Sequence, residues 1–421
     1  MAAVTFDPPG TAARRAALRL LDAVLRRGLA IEQAIGNATK GIDKREDRAL
    51  AHAIAAEVLR WLPDLDELID SATRRPLPDD AKARTVLRIA LVQALRMQTP
   101  PHAAIATALP LVDGGPRKLV HGVFGTLMRR PAALPEFPRL PDAAALRWQA
   151  HWGDETVAAA GRALAVQPPL DLTLARPDAE APPGEALMPQ HLRLIDPGAV
   201  PALDGFAGGG WWVQDLAASL PARLLGAGPG RALDLCAAPG GKTLQLAAAG
   251  WSVTAVDISQ SRLARLGENL ERTGLAFDIV AADLLDWAPA SPADAVLLDA
   301  PCSATGIFRR HPDVLYRVRP SLIAEMAQLQ ARLFARAADW VRPGGTLVYA
   351  TCSLEPAEGE AQLEGLLAAR PDFAIDPVQP GELPPGLAPH SLGYVRTLPG
   401  MLADQGGLDG FFIVRLRRSP S

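Results

Sequence analysis

"RALDLCAAPGGKT", residues 231–243, is a short apolar run closed by a glycine turn and leading into the helix-forming "LQLAAAG". Its Gly-Lys-Thr invites a phosphate-loop reading. Such a loop needs glycine five residues before its Gly-Lys-Thr, so that successive backbone N–H groups can face the phosphates, and Cys236 stands there. The stretch is still strand, glycine turn and helix, which brings backbone close to a bound cofactor. It decides the fold because the chain downstream repeats its pattern. Buried-type runs "SVTAVDI", "FDIVAAD", "DAVLLDA", "GTLVYAT" and "GFFIVRL" alternate with helical stretches. That alternation predicts an α/β domain with a mostly parallel sheet covered on both faces.

Ligands of such sheets sit outside the carboxyl ends of the strands. The first run ends in the glycine loop, the second in Asp257, the third in Asp283, the fourth in Asp299 and Cys302, and the fifth in Cys352. An isolated aspartate at a strand end is often a helix cap, and an isolated cysteine is usually a small buried apolar residue. Three carboxylates and two cysteines at successive strand ends point instead to one site. Gly-x-Gly-x-x-Gly is absent, which argues against a dinucleotide. An adenosine with a short charged tail, as in S-adenosylmethionine, suits the loop better. Its methionine end would lie on the loop backbone, its ribose at Asp257 and its adenine near Asp283.

Two cysteines beside a methyl donor suggest the acceptor. Carbon 5 of a pyrimidine is a poor nucleophile until a thiolate adds at carbon 6 and converts the ring to an enamine. A base must then remove the carbon 5 proton so that the thiol can leave. An acid near ring nitrogen 3 would stabilise the adduct, and Asp299 is placed for it. Spacing alone does not say which cysteine attacks.

Upstream, residues 11–133 read as successive helices, among them "RRAALRLLDAVLRRG" and "KLVHGVFGTLMRR", with apolar residues at three- and four-residue intervals. The proline-bearing "RPAALPEFPRLPD" reads as a linker. Three parts are therefore expected: an all-helical domain over residues 1–135, a linker with a small α+β insert over 136–205, and the α/β domain over 206–421. A chain of 421 residues is long enough for several cores.

Composition narrows the class. Residues 1–135 hold 20 Lys/Arg against 14 Asp/Glu, whereas the whole chain carries a net charge of −3, so a basic helical part precedes an acidic body. That suits an anionic partner such as nucleic acid, although a solvated arginine-rich helix surface would look the same. The three cysteines show no Cys-x-x-Cys spacing, so neither a metal cluster nor a disulfide framework is expected. No apolar run is long enough to span a bilayer, and the N-terminus lacks a signal-peptide core, so a cytoplasmic location without membrane attachment is expected.

"LDLCAAPGGKT", "AVDIS", "LLDAPCSATGIFRRHPD" and "LVYATCSLEPAEGE" closely resemble motifs of the NOL1/NOP2/Sun RNA 5-methylcytosine methyltransferases, in their Sun/RsmB branch. The N-terminal helices are similar to a NusB-type fold. The resemblance implies a class I, Rossmann-like methyltransferase domain behind an all-α NusB-like domain, S-adenosylmethionine as cofactor, and a cytosine of 16S ribosomal RNA, free or in an early small-subunit particle, as substrate. It further implies that Cys352 of "TCS" is the nucleophile and that Cys302 of "APCS" assists product release. Cofactor contacts carried over are Cys236, Ala237, Ala238, Pro239, Gly240, Gly241, Lys242, Asp257, Asp283 and Asp299. Arg309, Arg310 and His311 of "FRRHPD" could bind RNA phosphates beside the flipped base, or form surface ion pairs and caps. Ser259 and the tryptophan-rich "GGGWWVQDLAAS" depart mildly from the usual motifs. Competing readings are the same chemistry on transfer RNA or another ribosomal site, and a non-catalytic RNA-binding assembly factor, which loss of either cysteine would have favoured.

Overall fold

The computed structural model describes residues 7–130 and 132–420. The N-terminal reading over residues 1–6 and the linker's Pro131 therefore lie outside the described residues. The chain divides into two compact units, one formed by residues 1–167 with 308–318, the other by 168–307 with 319–421.

The first unit is all helical: α1 (Thr11–Leu25), α2 (Ile31–Ala38), α3 (Arg45–Arg60), α4 (Leu62–Ser71), α5 (Lys82–Leu95), α6 (Pro101–Ala108), α7 (Gly114–Arg129) and α8 (Asp142–Ala165), the last broken at Gly153. α5 is its axis, buried at every residue from Ala83 to Gln93. A helix enclosed on all sides is normally apolar throughout, yet α5 carries Arg84, Arg88 and Gln93. Each is satisfied: Arg84 donates to Asp70 at 2.6 Å, Arg88 reaches Asp66 at 2.7 and 2.8 Å, and Gln93 accepts from Arg14 at 2.8 Å. Buried charge is tolerated when so paired.

The expected insert over 136–205 is not a separate part. Its helix, α8, belongs to the helical unit, and its strands belong to the other unit. A second difference is the segment 308–318, containing α12 (Val314–Arg317), which leaves the α/β unit and joins the helical one. There Phe308 packs on Trp148 with ring centroids 5.3 Å apart. Tyr316 donates its hydroxyl to the Leu59 carbonyl, and Arg60 donates to that of Arg309, each at 2.7 Å. These contacts join residues distant in sequence, which periodicity does not report.

The second unit opens with an antiparallel sheet of β1 (Leu170–Leu174), β2 (Glu185–Met188), β3 (His191–Leu194) and β4 (Trp211–Val213), in the order β2-β3-β1-β4. The main sheet holds β5 (Arg231–Leu235), β6 (Ser252–Asp257), β7 (Asp278–Ala281), β8 (Ala293–Asp299), β9 (Val341–Thr351), β10 (Phe373–Ile375), β11 (Val395–Arg396) and β12 (Phe412–Arg418). Its order is β10-β12-β9-β8-β5-β6-β7, with β11 paired to β12. The β9-β8-β5-β6-β7 run is parallel, and β12 joins it antiparallel at β9.

Alternation of side chains along the strands fills two cores. Leu233, Leu235, Val296, Leu298 and Tyr349 face α13 (Pro320–Asp339) through Leu333 and Phe334. Ala232, Ala295, Leu297, Val348 and Ile413 face α9 (Leu216–Arg223) and α10 (Gly241–Ala248) through Leu220 and Leu246. Strand order reverses between β5 and β8, which opens the ligand crevice at their carboxyl ends. α11 (Gln260–Thr273) comes after β6, and α14 (Glu360–Ala369) after β9. Among the described residues no helix is long and apolar enough to cross a membrane.

Candidate active site

The glycine loop joins β5 to α10. Two of its residues take left-handed backbone angles, Cys236 at φ 60 and Gly240 at φ 109. A Cβ on Gly240 would lie 2.9 Å from Leu266 Cγ, so glycine is required both by conformation and by the close approach of α11. Ala237 and Ala238 are buried and Pro239 is exposed. Asp257, at the end of β6, is 2% exposed and accepts the backbone N–H groups of Ala238 at 3.1 Å and Ser259 at 2.8 Å. It thus ties the loop to the next strand end. Asp283 is half-buried beyond β7 and accepts the Leu285 N–H at 2.9 Å.

Lys242, on the first turn of α10, points back under the strand ends. Its Nζ is 2.7 Å from Asp299 Oδ2 and 5.6 Å from the Phe411 ring centre. Burial works against its charge, but the neighbouring Asp299 carboxylate outweighs it and holds the ammonium above the usual lysine range. Thr243 beside it donates to Asp234 at 2.5 Å. Asp234 is fully enclosed in β5, its Oδ1 has no hydrogen-bond partner, and burial pushes its carboxyl up to about 7.

The two cysteines meet. Ala300 donates its N–H to the Ala350 carbonyl at 2.9 Å, continuing the β8–β9 ladder past Asp299, and Gly306 donates to the Cys352 carbonyl at 2.9 Å. Between these ties Cys302 Sγ lies 3.4 Å from Cys352 Sγ. The hydrogen bond to Cys352, together with burial, holds the Cys302 thiol well above its ordinary range, so Cys302 keeps its proton. Cys236 is a different case. It is raised by burial, with Asp257 and Asp299 adding to the effect, and is not a thiolate candidate.

Asp257, Asp283, Asp299, Cys302 and Cys352 therefore lie at the carboxyl edge of one sheet, as read from the strand ends, and Lys242 of α10 joins them through Asp299. Arg309, Arg310 and His311 lie in the segment 308–318, which belongs to the helical unit. Arg309 is buried and His311 Nδ1 lies 2.8 Å from Glu32 Oε1, so both have structural partners within the helical unit. Arg310, in the same segment, is half-buried.

Sequence reasoning missed a polar cluster behind the cysteines. Glu358, fully buried, accepts from the Ser303 N–H at 2.9 Å and the Ser303 hydroxyl at 2.6 Å. Ser303 Oγ is 3.2 Å from Ser353 Oγ, which in turn lies 3.3 Å from the Thr305 hydroxyl. The only sequence signal is that a serine stands directly after each cysteine.

Residues 227–417 match the family described as 16S rRNA methyltransferase RsmB/F, and residues 11–127 match the NusB family. A protein named ribosomal RNA small subunit methyltransferase B, from Xylella fastidiosa strain Temecula1, is 36% identical over 97% of this chain and 98% of its own length. Among solved structures, that of PH0851 aligns with a TM-score of 0.72 at 23% identity, over 98% of this chain and 100% of that one. A structure of NSun6 from Pyrococcus horikoshii with SFG aligns with a TM-score of 0.55 at 18% identity, over 67% of this chain and 99% of that one. At these identities the two structures bear on the fold alone.

Proposed function

Because this chain belongs to the RsmB/F family of small-subunit ribosomal RNA methyltransferases, we propose that it methylates carbon 5 of a cytosine in 16S ribosomal RNA through a covalent bond between Cys352 and carbon 6. The chain is an S-adenosylmethionine-dependent RNA methyltransferase by family; the atom modified and the mechanism are the proposal. The observation that carries it is the 3.4 Å contact of two thiols at adjacent strand ends. Methylation of oxygen or of an exocyclic nitrogen needs no covalent help and would leave such a pair without a purpose.

The loop fits the cofactor. A turn kept open by Gly240, with carboxylates at the next two strand ends, offers backbone donors for a charged amino-acid tail and acceptors for ribose hydroxyls. Residues Cys236 to Lys242 with Asp257, Asp283 and Asp299 would hold it. When bound, S-adenosylmethionine supplies an electrophilic sulfonium methyl group.

Roles for the side chains are proposed from motif and position. Cys352, the cysteine of the family's "TCS" motif, is the sulfur that adds to carbon 6, and the Cys302 thiol, held above its ordinary range, lies 3.4 Å from it. The addition moves electron density to carbon 5 and ring nitrogen 3. Asp299, paired with Lys242 at 2.7 Å, is the group proposed to face ring nitrogen 3 and stabilise the adduct. After methyl transfer the carbon 5 proton passes to the Cys302 sulfur, the electrons of that bond form the 5,6 double bond, and the Cys352–carbon 6 bond breaks with its electron pair returning to the Cys352 sulfur, which takes the Cys302 thiol proton. Cys302, in contact with the departing sulfur, assists that release.

The test is bisulfite sequencing of total RNA from cells with and without the gene. Loss of protection at one small-subunit ribosomal cytosine supports the proposal. Loss at a transfer RNA position keeps the chemistry and overturns the substrate, and unchanged cytosines overturn the chemistry.

A further inference from the structure

Two loops must be held in register for the cysteine pair to work, and neither loop is a strand. Residues 300–306 come after β8 and residues 352–358 after β9. Backbone bonds between them are few, and beside the apolar Ala300 and Leu354 four polar side chains are buried, Ser303, Thr305, Ser353 and Glu358, all between 0% and 4% exposed. Burying a carboxyl group in a protein interior is costly unless it is hydrogen-bonded. Glu358 is therefore placed for a reason other than packing.

We infer that Glu358 is a positioning residue that sets the distance between Cys302 and Cys352. Its carboxyl group takes both the N–H and the hydroxyl of Ser303, the residue after Cys302, at 2.9 and 2.6 Å. Ser303 Oγ lies 3.2 Å from the hydroxyl of Ser353, the residue after Cys352. Each thiol is thus one residue from a serine in the same cluster. Glu358 itself is anchored on both sides. Its carbonyl accepts the Tyr349 hydroxyl at 2.8 Å and that of Thr351 at 3.2 Å, both on β9. Gln330 of α13 donates to the Pro301 carbonyl at 2.9 Å and reaches Glu358 Oε1 at 3.4 Å. Strand, helix and both loops meet at this one residue, the strand through its main-chain carbonyl and the rest through its carboxyl group. Burial raises its proton affinity against the opposing serine bonds. Glu358 touches neither sulfur, so its effect is exerted through Ser303 and Ser353.

The inference rests on the two-cysteine reading, and the experiment separates the two. Full-length Glu358→Ala and Glu358→Gln are compared with the unmodified chain in three ways. Methyl transfer to small-subunit RNA gives kcat and KM. Thermal melting reports folding. Dibromobimane, which becomes fluorescent on bridging two neighbouring thiols, reports the Cys302–Cys352 distance, with the bridged peptides identified by mass spectrometry. Displacing reacting groups by around an ångström costs about 100-fold in rate, so Glu358→Ala is expected to lose about that factor in kcat. KM for S-adenosylmethionine should stay within about twofold, because uniform binding is untouched. Bridging should slow in step with kcat. Glu358→Gln keeps an acceptor for the Ser303 N–H and should recover to within about tenfold of the original kcat, since one hydrogen bond is at stake. Unchanged bridging, or a folded Glu358→Ala with undiminished kcat, overturns the inference. Should Glu358→Ala fail to fold, Ser303→Ala removes the relaying hydroxyl and is held to the same slower bridging. If the unmodified protein methylates no cytosine, the functional reading falls, and the bridging rates still decide on Glu358.

Discussion

Cys302 Sγ and Cys352 Sγ are 3.4 Å apart, and that contact together with burial holds the Cys302 thiol above its ordinary range. Cys352, in the "TCS" motif, is the proposed attacking sulfur, and Cys302 its partner in release. Cys352→Ala should abolish methylation, with no covalent protein–RNA species. Cys302→Ala should still attack but release slowly, leaving an adduct that survives denaturing gel electrophoresis. An adduct from Cys352→Ala and none from Cys302→Ala would exchange the roles.

Asp234 gives a prediction in pH. Burial lifts its carboxyl from the ordinary 3.8 to about 7, with the Thr243 hydrogen bond working against the rise. The folded chain therefore binds a proton there more tightly than the unfolded chain. Its stabilising contribution is complete below the ordinary value and is lost as pH climbs through about 7. Asp234→Asn does not titrate, so the melting-temperature advantage of the original chain over this variant should shrink between pH 4 and pH 7 and level off above. Parallel melting curves across that range would show that Asp234 is not raised.

Much of the candidate site is legible in residue order. Asp257, Asp299 and Cys352 end strands whose apolar runs are plain, and a parallel sheet gathers its strand ends on one edge, so reading those ends together brings these residues to one place. The parts that are not legible depend on contacts across the chain. Ser303 and Glu358 lie on different loops, and no spacing rule connects them. The segment 308–318 looks like a surface loop because it holds two arginines and a histidine near its start. Its place in the helical unit comes from Phe308 on Trp148 and Tyr316 on Leu59, contacts that only the folded chain supplies. Likewise the sequence presents Asp299 as a lone acid, because nothing in residue order shows Lys242, on the glycine loop's helix, turning toward it.

Gly306 tests how closely the loop after Cys302 is fitted. It donates to the Cys352 carbonyl and accepts from Gly410, each at 2.9 Å, and a Cβ there would stand 1.9 Å from the Gly410 carbonyl oxygen. That neighbour is backbone and cannot step aside cheaply. Gly306→Ala should cost about 1–3 kcal/mol of stability, as overpacking does. It should also lower methyl transfer more than cofactor affinity, read by melting, isothermal titration and turnover on the same samples. A variant as active and as stable as the original would mean that the two loops can part without consequence.

His311 separates a structural role from an RNA-binding one. Its Nδ1 is 2.8 Å from Glu32. Burial would raise Glu32, yet the hydrogen bond and charge of His311 hold it down to about 2. A depressed carboxyl contributes stability above its ordinary value and loses it as pH falls through the lowered one, so at neutral pH the contribution is fully present. His311→Ala should lower stability at pH 7 by at most about 1 kcal/mol, because the pair is partly solvent-exposed. RNA affinity is the discriminating measurement. A side chain that neutralises a phosphate reduces the slope of log affinity against log salt by about 1. His311→Ala and Arg309→Ala are each expected to leave that slope unchanged. A drop of about 1 in either variant would support the phosphate contact and place the "FRRHPD" segment on the RNA.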